Sequence, residues 1–201
     1  MSEETKVPVV VYMEMTPNPE KMKFVANKYL LISGETAEFT SQAETKGFSP
    51  MAEELFNFPF VKEVFIASNF VTITKTDNIS WDFVTMELRE FIKEYISSGK
   101  DVIVMMPQPK AAKQESKTPL NLEPSEYDEL IVNLLNEYVR PAVEGDGGAI
   151  DFVSYNDGVV TVELKGACSG CPSSTATLKG GVENLLKQHI PEVTEVVALE
   201  G

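Results

Sequence analysis

The stretch Gly166-Ala167-Cys168-Ser169-Gly170-Cys171-Pro172 contains both cysteines of this 201-residue chain. It joins a strand-like run, Val159 to Leu164, to a helix-like run, Ser173 to Gln188. The small residues of the loop let the backbone wrap closely around a bound group and direct N–H groups at sulfur. The order of strand, glycine-rich loop and helix favours an α+β fold for this half of the chain.

Two thiols at C-x-x-C spacing supply half of the ligands that soft metals and iron–sulfur clusters usually take. Either a second copy of the chain supplies the other half, or the pair carries out redox chemistry alone. A third alternative, two buried structural thiols, is disfavoured because a glycine-rich hydrophilic loop is a poor place to bury cysteine.

The sequence disfavours two further roles for the cysteine pair. A thioredoxin-type role would need the pair to follow a parallel strand of a βαβ unit, whereas Val159 to Leu164 belongs to a predicted hairpin. A zinc site would need two more ligands. The only histidine, His189, lies about five helical turns beyond Cys171, and a partly exposed position at a helix end explains it better.

The predicted fold class is α+β, with two small domains at residues 8–104 and 124–201 joined by a Pro/Lys-containing linker at 105–123. In the first domain we expect two strands, a hairpin around Ala67-Ser68-Asn69, a helix starting at Ser49-Pro50 and a helix from Trp81 to Ile96. The strands are expected at Val9–Met13 and Met22–Ile32. Gly99 is expected to end the last helix.

In the second domain the pattern predicts two helices and three strands. The first helix, Pro124 to Val139, has Leu130, Ile131, Leu134, Leu135 and Tyr138 on its apolar stripe. A hairpin around Asn156-Asp157-Gly158 pairs Ile150–Tyr155 with Val159–Leu164. The second helix directs Leu178, Val182, Leu185 and Leu186 inward, and Val193 to Leu199 forms the last strand.

Composition narrows the classes of partner and location. The net charge of −14 repels phosphate backbones, so nucleic-acid binding is not expected. No apolar run is as long as a membrane span, so no membrane association is expected. The segment Met1 to Lys6 has neither a secretory apolar region nor the character of a transit peptide, which predicts a cytoplasmic location where thiols stay reduced.

Three other features favour structural roles. Gly145-Asp146-Gly147-Gly148 lacks the third glycine of a dinucleotide loop and the Lys-Ser/Thr of a P-loop, so a tight turn is expected. Arg140 could face that turn or form a surface ion pair. Five phenylalanines of the first domain fit a core, and an exposed subset could form a client-binding patch; they are Phe56, Phe58, Phe60, Phe65 and Phe70.

The chain resembles the Nfu/NifU family in both halves. In the second domain the resemblance rests on Arg140-Pro141, Asp146-Gly147-Gly148, the cysteine loop through Ser174, Thr177-Leu178-Lys179 and Pro191-Glu192-Val193. In the first domain it rests on Thr16-Pro17-Asn18-Pro19, Met22-Lys23-Phe24, Ala37-Glu38-Phe39, Leu55-Phe56, Val61 to Phe65, Phe70 to Lys75 and Trp81. Ala149 departs from the family pattern, in which many relatives carry an acidic residue.

The resemblance implies a non-enzymatic iron–sulfur cluster scaffold or carrier. It implies that Cys168 and Cys171 are the metal and cluster ligands, with a 4Fe–4S cluster held between two chains, and a 2Fe–2S cluster also takes four thiolates. The implied partners are apo iron–sulfur client proteins, upstream cluster scaffolds and a second copy of the chain. The first domain is expected to dock clients, and the alternative of a thiol–disulfide redox protein stays open.

Overall fold

The computed structural model describes residues 8–32, 34–107, 125–170 and 172–200. The chain divides into two compact units, residues 1–107 and 108–201, and each has its own hydrophobic core. Both units combine helices with a sheet, which confirms the two-domain α+β class. Cys171, Met1 to Lys6 and residues 108–124 of the predicted linker region lie outside the described residues.

The first unit is a five-stranded antiparallel sheet in the order β1-β2-β5-β4-β3 with three helices. Its strands are β1 Val11–Met15, β2 Lys21–Ala26, β3 Thr36–Phe39, β4 Val61–Ala67 and β5 Phe70–Lys75. Its helices are α1 Gln42–Thr45, α2 Pro50–Leu55 and α3 Trp81–Ser97. The predicted hairpin is the β4–β5 pair, and α2 begins at Pro50 because the Ser49 side chain accepts a hydrogen bond from the Ala52 N–H.

Two strand predictions in this unit are displaced. The first strand begins at Val11 rather than Val9, and the second ends at Ala26 rather than Ile32. The Asn27 side chain accepts from the Val10 N–H and donates to the Pro8 carbonyl, so it replaces two of the backbone hydrogen bonds with which pairing would continue, while the Asn27 N–H still donates to the Val10 carbonyl. The alternation of apolar and polar residues in the sequence does not by itself show where a side chain hydrogen-bonds the backbone in place of a neighbouring strand.

The second unit has a three-stranded sheet in the order β6-β7-β8. Its strands are β6 Gly148–Asn156, β7 Val159–Gly166 and β8 Glu195–Glu200, and its last helix, α6, spans Pro172–His189. The β6–β7 pair is the predicted hairpin, and Asp157 and Gly158 take the positive φ angles of its two-residue turn. Strand β8 runs parallel to β7, so β7, α6 and β8 form a βαβ unit.

The helical region before β6 differs most from its prediction. It runs through α4 Asp128–Leu134, a π turn Leu135–Val139 and α5 Arg140–Gly145, six residues beyond the predicted end at Val139. Pro141 lacks an N–H, and the π turn, in which the Arg140 N–H bonds the Leu135 carbonyl, accommodates this loss.

None of the helices in the described part of the chain is both long and apolar enough to cross a lipid bilayer.

Candidate functional site: the cysteine loop

Cys168 lies just after β7, on the loop that leads into α6. Its side chain is 4 % exposed and belongs to the hydrophobic core of the second unit, beside residues such as Leu164 and Ile150. The expectation that this glycine-rich loop is a poor place to bury cysteine is therefore wrong for Cys168. The loop is short and is drawn against the ends of β6 and β7, which places the side chain on the core side.

Gly148 provides the space that the sulfur occupies. A Cβ atom at this position would lie 2.8 Å from the Cys168 Sγ, 2.6 Å from the Lys165 carbonyl oxygen and 3.0 Å from the Cys168 nitrogen. All three distances are shorter than, or at the limit of, real contacts of a Cβ, and two of the atoms belong to the backbone. A side chain at residue 148 would therefore displace the loop or the thiol.

One backbone hydrogen bond ties the cysteine loop to the turn that precedes β6, and a second lies within the loop. The Ala167 N–H donates to the Gly147 carbonyl at 3.1 Å, and the Ser169 N–H donates to the Gly166 carbonyl at 3.2 Å. Gly147 has a φ of +86°, which fits the predicted tight turn. Because its carbonyl holds the cysteine loop, the turn has a structural role in the site.

Helix α6 begins at Pro172, four residues beyond Cys168, and is 18 residues long. The Thr175 hydroxyl in its first turn donates to the Cys168 carbonyl at 3.5 Å. The N-terminus of a helix carries partial positive charge, which favours thiolate over thiol in its vicinity. The loop thus leads into an environment suited to anionic sulfur.

The strand arrangement corrects one argument made from sequence. The antiparallel hairpin pairing of β7 with β6 by itself disfavours a thioredoxin-like setting, but β7 also pairs in parallel with β8 across α6. A C-x-x-C motif between the first strand and the helix of a βαβ unit is the setting that redox pairs use. Topology therefore does not separate a redox role from a cluster-binding role.

A charged cluster lies on the outer face of the β6–β7 hairpin. The Lys165 ammonium is 2.8 Å from the Asp151 carboxylate and 3.0 Å from that of Glu163, and the Arg140 guanidinium is 3.5 Å from Asp151. Burial alone would lower the pKa of Lys165, but its hydrogen bonds and attraction to Asp151 and Glu163 outweigh burial and raise that pKa. Arg140 therefore forms the ion pair expected as one of its two alternatives.

The positions of His189 and of the five phenylalanines of the first unit bear on their predicted roles. His189 is exposed at the end of α6 and stacks on Tyr138 with ring centroids 6.3 Å apart, as expected for a helix-end histidine. The five phenylalanines of the first unit lie buried or half-buried, so they do not provide an exposed patch.

Across residues 8–32, 34–107, 125–170 and 172–200, no three His, Cys, Asp or Glu side chains are grouped to hold a metal ion.

The donor set of the loop nevertheless fits an iron–sulfur cluster better than a single hard cation. The chain has two cysteines in one C-x-x-C motif, and thiolates are the ligands that such clusters take. Gly166 and Gly170 flank Cys168 in the loop and Gly148 lies against its sulfur, so the loop carries little side-chain bulk around the thiol. The sequence had identified the thiols, but it gave no sign that Gly148 would contact the sulfur.

Comparison with known proteins agrees with both halves of the fold. Residues 11–99 match the family model "Scaffold protein Nfu/NifU N terminal", and residues 131–197 match "NifU-like domain". The "NFU1 iron-sulfur cluster scaffold homolog, mitochondrial" of Drosophila willistoni is 38% identical over 90% of this chain and 60% of its own length. That of Drosophila sechellia is 36% identical over 96% of this chain and 68% of its own.

"NifU-like protein 4, mitochondrial" of Arabidopsis thaliana is 37% identical over 92% of this chain and 64% of its own length. The chain spans about three-fifths of the length of several such relatives.

These names overturn the expected cytoplasmic location, because the relatives that match most of this chain are named as mitochondrial proteins. The expectation relied on Met1 to Lys6, and a terminal segment is a poor guide where the chain matches only part of its relatives. The two family matches, and relatives more than 35% identical along most of the chain, show that the chain belongs to the Nfu/NifU-like family.

Proposed function

We propose that this protein is an iron–sulfur cluster scaffold or carrier that assembles or receives a cluster and passes it to apo-proteins. The observation that carries the proposal is the position of Cys168, on a glycine-lined loop between β7 and α6 of a NifU-like domain. The curated relatives are named as iron–sulfur cluster scaffolds, which supports the same role. A scaffold or carrier binds and releases a cluster and does not turn over a substrate, so the protein acts without catalysing a reaction.

The cluster is held by Cys168 and Cys171 of two copies of the chain. One copy contributes two thiolates, and a 4Fe–4S cluster takes four. The same surface of each copy faces the cluster, so the contact has two-fold symmetry. A 2Fe–2S cluster satisfies the same ligand count, and the iron content separates the two.

Release follows from ligand exchange. Thiolates of an apo-protein attack iron and displace those of Cys168 and Cys171, which leave as anions near the start of α6. Since Cys168 is packed in the core of the second unit, loading requires the loop to move its side chain outward, and release lets it return. Once the released thiolate has taken up a proton from solvent, the return of the uncharged Cys168 thiol to its packed position favours donation over retention.

The two units have different functions. The second unit holds the cluster, and the first docks client proteins or upstream scaffolds, while the residues between them supply reach. The mitochondrial names of the relatives support a location of those partners in that organelle.

Anaerobic reconstitution of the full chain with ferrous iron and sulfide tests this proposal. We expect a brown protein, a change from monomer to dimer on loading, and about two iron atoms per chain, as a shared four-iron cluster requires. Cys168→Ala and Cys171→Ala should each abolish colour and dimer together, whereas Ser169→Ala, in the same loop, should retain both. A chain that stays colourless and monomeric would exclude the proposal.

The parallel pairing of β7 with β8 supports a second candidate, a thiol–disulfide redox protein. In that case the chain would cycle a Cys168–Cys171 disulfide as a monomer and would bind no iron. Quantification of thiols after equilibration with glutathione buffers, on the same preparation used for reconstitution, separates the two roles.

A further inference from the structure

Strand β1, Val11–Met15, is an outer strand of the first unit's sheet, and within the described residues β2 is the one strand that pairs with it. The Val10 carbonyl accepts the Asn27 N–H on the side of β2. Successive residues of an antiparallel strand direct their backbone groups to opposite sides. The N–H and C=O groups of Val11, Met13 and Met15 therefore face away from the sheet.

At Val11, the first of these three residues, a side chain makes the hydrogen bond that a neighbouring strand would make. The Arg89 Nε on α3 donates to the Val11 carbonyl at 3.0 Å. The same guanidinium lies 3.3 Å from the Glu90 carboxylate and 3.7 Å from the Met86 sulfur. A movable side chain thus satisfies the carbonyl that would otherwise accept an N–H from an added strand.

The side chains around this edge are apolar and exposed. Met15 is 87 % exposed, Tyr12 on the opposite face is 50 % exposed, and Met13 and Val10 are also exposed. Phe83 and Met86 extend the surface along α3. The middle of this helix is tied to β1 by Arg89, and its first residue is tied to the turn between β1 and β2 by the bond from the Trp81 indole N–H to the Pro19 carbonyl. Exposed edge strands usually carry lysine, proline or a bulge that prevents pairing, and β1 carries only Glu14.

We propose that β1 is a docking strand, to which an extended, basic and apolar segment of a partner protein adds as a sixth strand. Backbone hydrogen bonds to Met13 and Met15 would supply affinity, and the adaptable methionine side chains would accept different sequences. Displacement of Arg89 frees the Val11 carbonyl for the first bond. The docking strand lies in the first unit and does not depend on cluster binding by the second.

Charge favours a basic partner over a second copy of the chain. Residues 1–101 contain 10 basic and 16 acidic side chains, a net charge of −6. Asp82 and Glu87 are exposed on α3, and Glu14, the fourth residue of β1, has its carboxylate 2.9 Å from the Lys23 ammonium of β2. Two copies would repel each other at this edge, whereas lysine or arginine opposite Glu14 is stabilising.

The test uses the isotope-labelled full chain without cluster and a synthetic peptide of about nine residues that alternates lysine and valine, which matches the length of a strand. We expect the peptide to shift the amide resonances of residues 11–15 and to slow hydrogen exchange at Met13. An analogue methylated on its backbone nitrogens should bind at least about tenfold more weakly, because it cannot donate to the strand. An analogue with glutamate for lysine should also bind more weakly.

Three variants complete the test. Met13→Pro, which removes an outward N–H that β2 does not use, should weaken binding about tenfold. Arg89→Ala should strengthen binding, since no side chain has to be displaced. Tyr29→Ser, at another exposed aromatic residue of the unit, should leave the affinity unchanged.

Several results would overturn the proposal. They are equal binding of the methylated or the glutamate analogue, shifts centred outside residues 11–15, and concentration-dependent shifts at β1 without peptide, which would mean that two copies pair there. If Met13→Pro lowers the thermal stability, the methylated analogue on the unchanged protein decides the question.

Discussion

At the scale of single residues, the site depends on a contact between two positions 20 residues apart. Cys168 and Gly148 meet because the β6–β7 hairpin pairs Gly148 with Gly166, which brings the residue after the turn against the loop. The thiols could be identified from spacing alone. The residue that makes room for one of them could not, because the register of a hairpin is a property of the paired strands.

We expect Gly148→Ala to destabilise the second unit by about 1–3 kcal/mol, the usual cost of overpacking, and to reduce cluster loading. The added Cβ would lie within 3.0 Å of two backbone atoms and of the Cys168 Sγ. Thermal unfolding and the iron content after reconstitution measure the two effects.

Gly145→Ala is the matched control for Gly148→Ala, since no other atom lies within 4 Å of a Cβ built at that helical residue. It should leave stability unchanged or raise it by about 0.5–1 kcal/mol. Equal loss of iron in both variants would contradict the role given to Gly148.

Tyr95 provides a pH-dependent prediction in the first unit. Burial, followed by repulsion from Glu54 and Asp101, raises the pKa of its phenol to about 12, and its O–H donates to the Asp101 carbonyl at 2.9 Å. Because the folded pKa is higher than the unfolded one, the contribution to stability is present below about pH 10 and is lost as the pH rises toward 12.

Tyr95→Phe should therefore lower stability by about 1 kcal/mol at neutral pH and by less near pH 12. Denaturant unfolding at several pH values measures this difference. Tyr12→Phe, at an exposed tyrosine, should show neither effect.

At the scale of elements, the π turn changes which side chains of the first helix of the second unit face the core. Ile131, Leu135, Val139 and Val143 are buried at four-residue steps, whereas Leu130 and Tyr138 are exposed. The prediction placed Leu130 and Tyr138 inward. Tyr138 lies within the π turn, which departs from the 3.6 residues per turn that the prediction assumed, whereas Leu130 lies before it in α4. The extra residue of a π turn rotates the stripe, and Pro141 was the only local sign of it.

The packing of α6 on β8 depends on Glu183. Its carboxylate is 2.6 Å from the Lys187 ammonium and accepts the Val196 N–H at 3.2 Å, and these two hydrogen bonds lower its pKa. The contribution to stability is therefore present above about pH 4.5 and is lost as the pH falls through the lowered pKa.

We expect Glu183→Gln to be less stable than the unaltered chain at neutral pH and to approach it under acidic conditions. Hydrogen exchange at the Val196 amide should become several-fold faster. Glu195→Gln removes a longer, exposed ion pair between the same two elements and should change little. A pH-independent difference for Glu183→Gln would contradict this account.

At the scale of the whole molecule, two cores account for the organisation of the chain. The first core contains side chains from the five-stranded sheet, α2 and α3, and the second contains side chains from the helical region, β6, β7, α6 and β8. Each of these units is long enough to bury a core of its own. Folding of one unit should therefore not require the other.

Expression of residues 1–107 and 108–201 as separate chains tests this independence. Each fragment should fold cooperatively, and its amide spectrum should superimpose on that of the same unit in the full chain. Reconstitution of the second fragment should load as much iron per chain as the full protein. A fragment that is unfolded alone would show that the units stabilise each other.

The sequence by itself determined the two-domain α+β class, both hairpins, the helix from Trp81 and the two thiols, because these follow from local periodicity, turn residues and spacing. Only the tertiary structure decided the burial of Cys168, its contact with Gly148, the parallel pairing of β7 with β8 and the exposed edge of β1. These features depend on which strands become neighbours and in which register, and that choice is made by packing between segments distant in the chain.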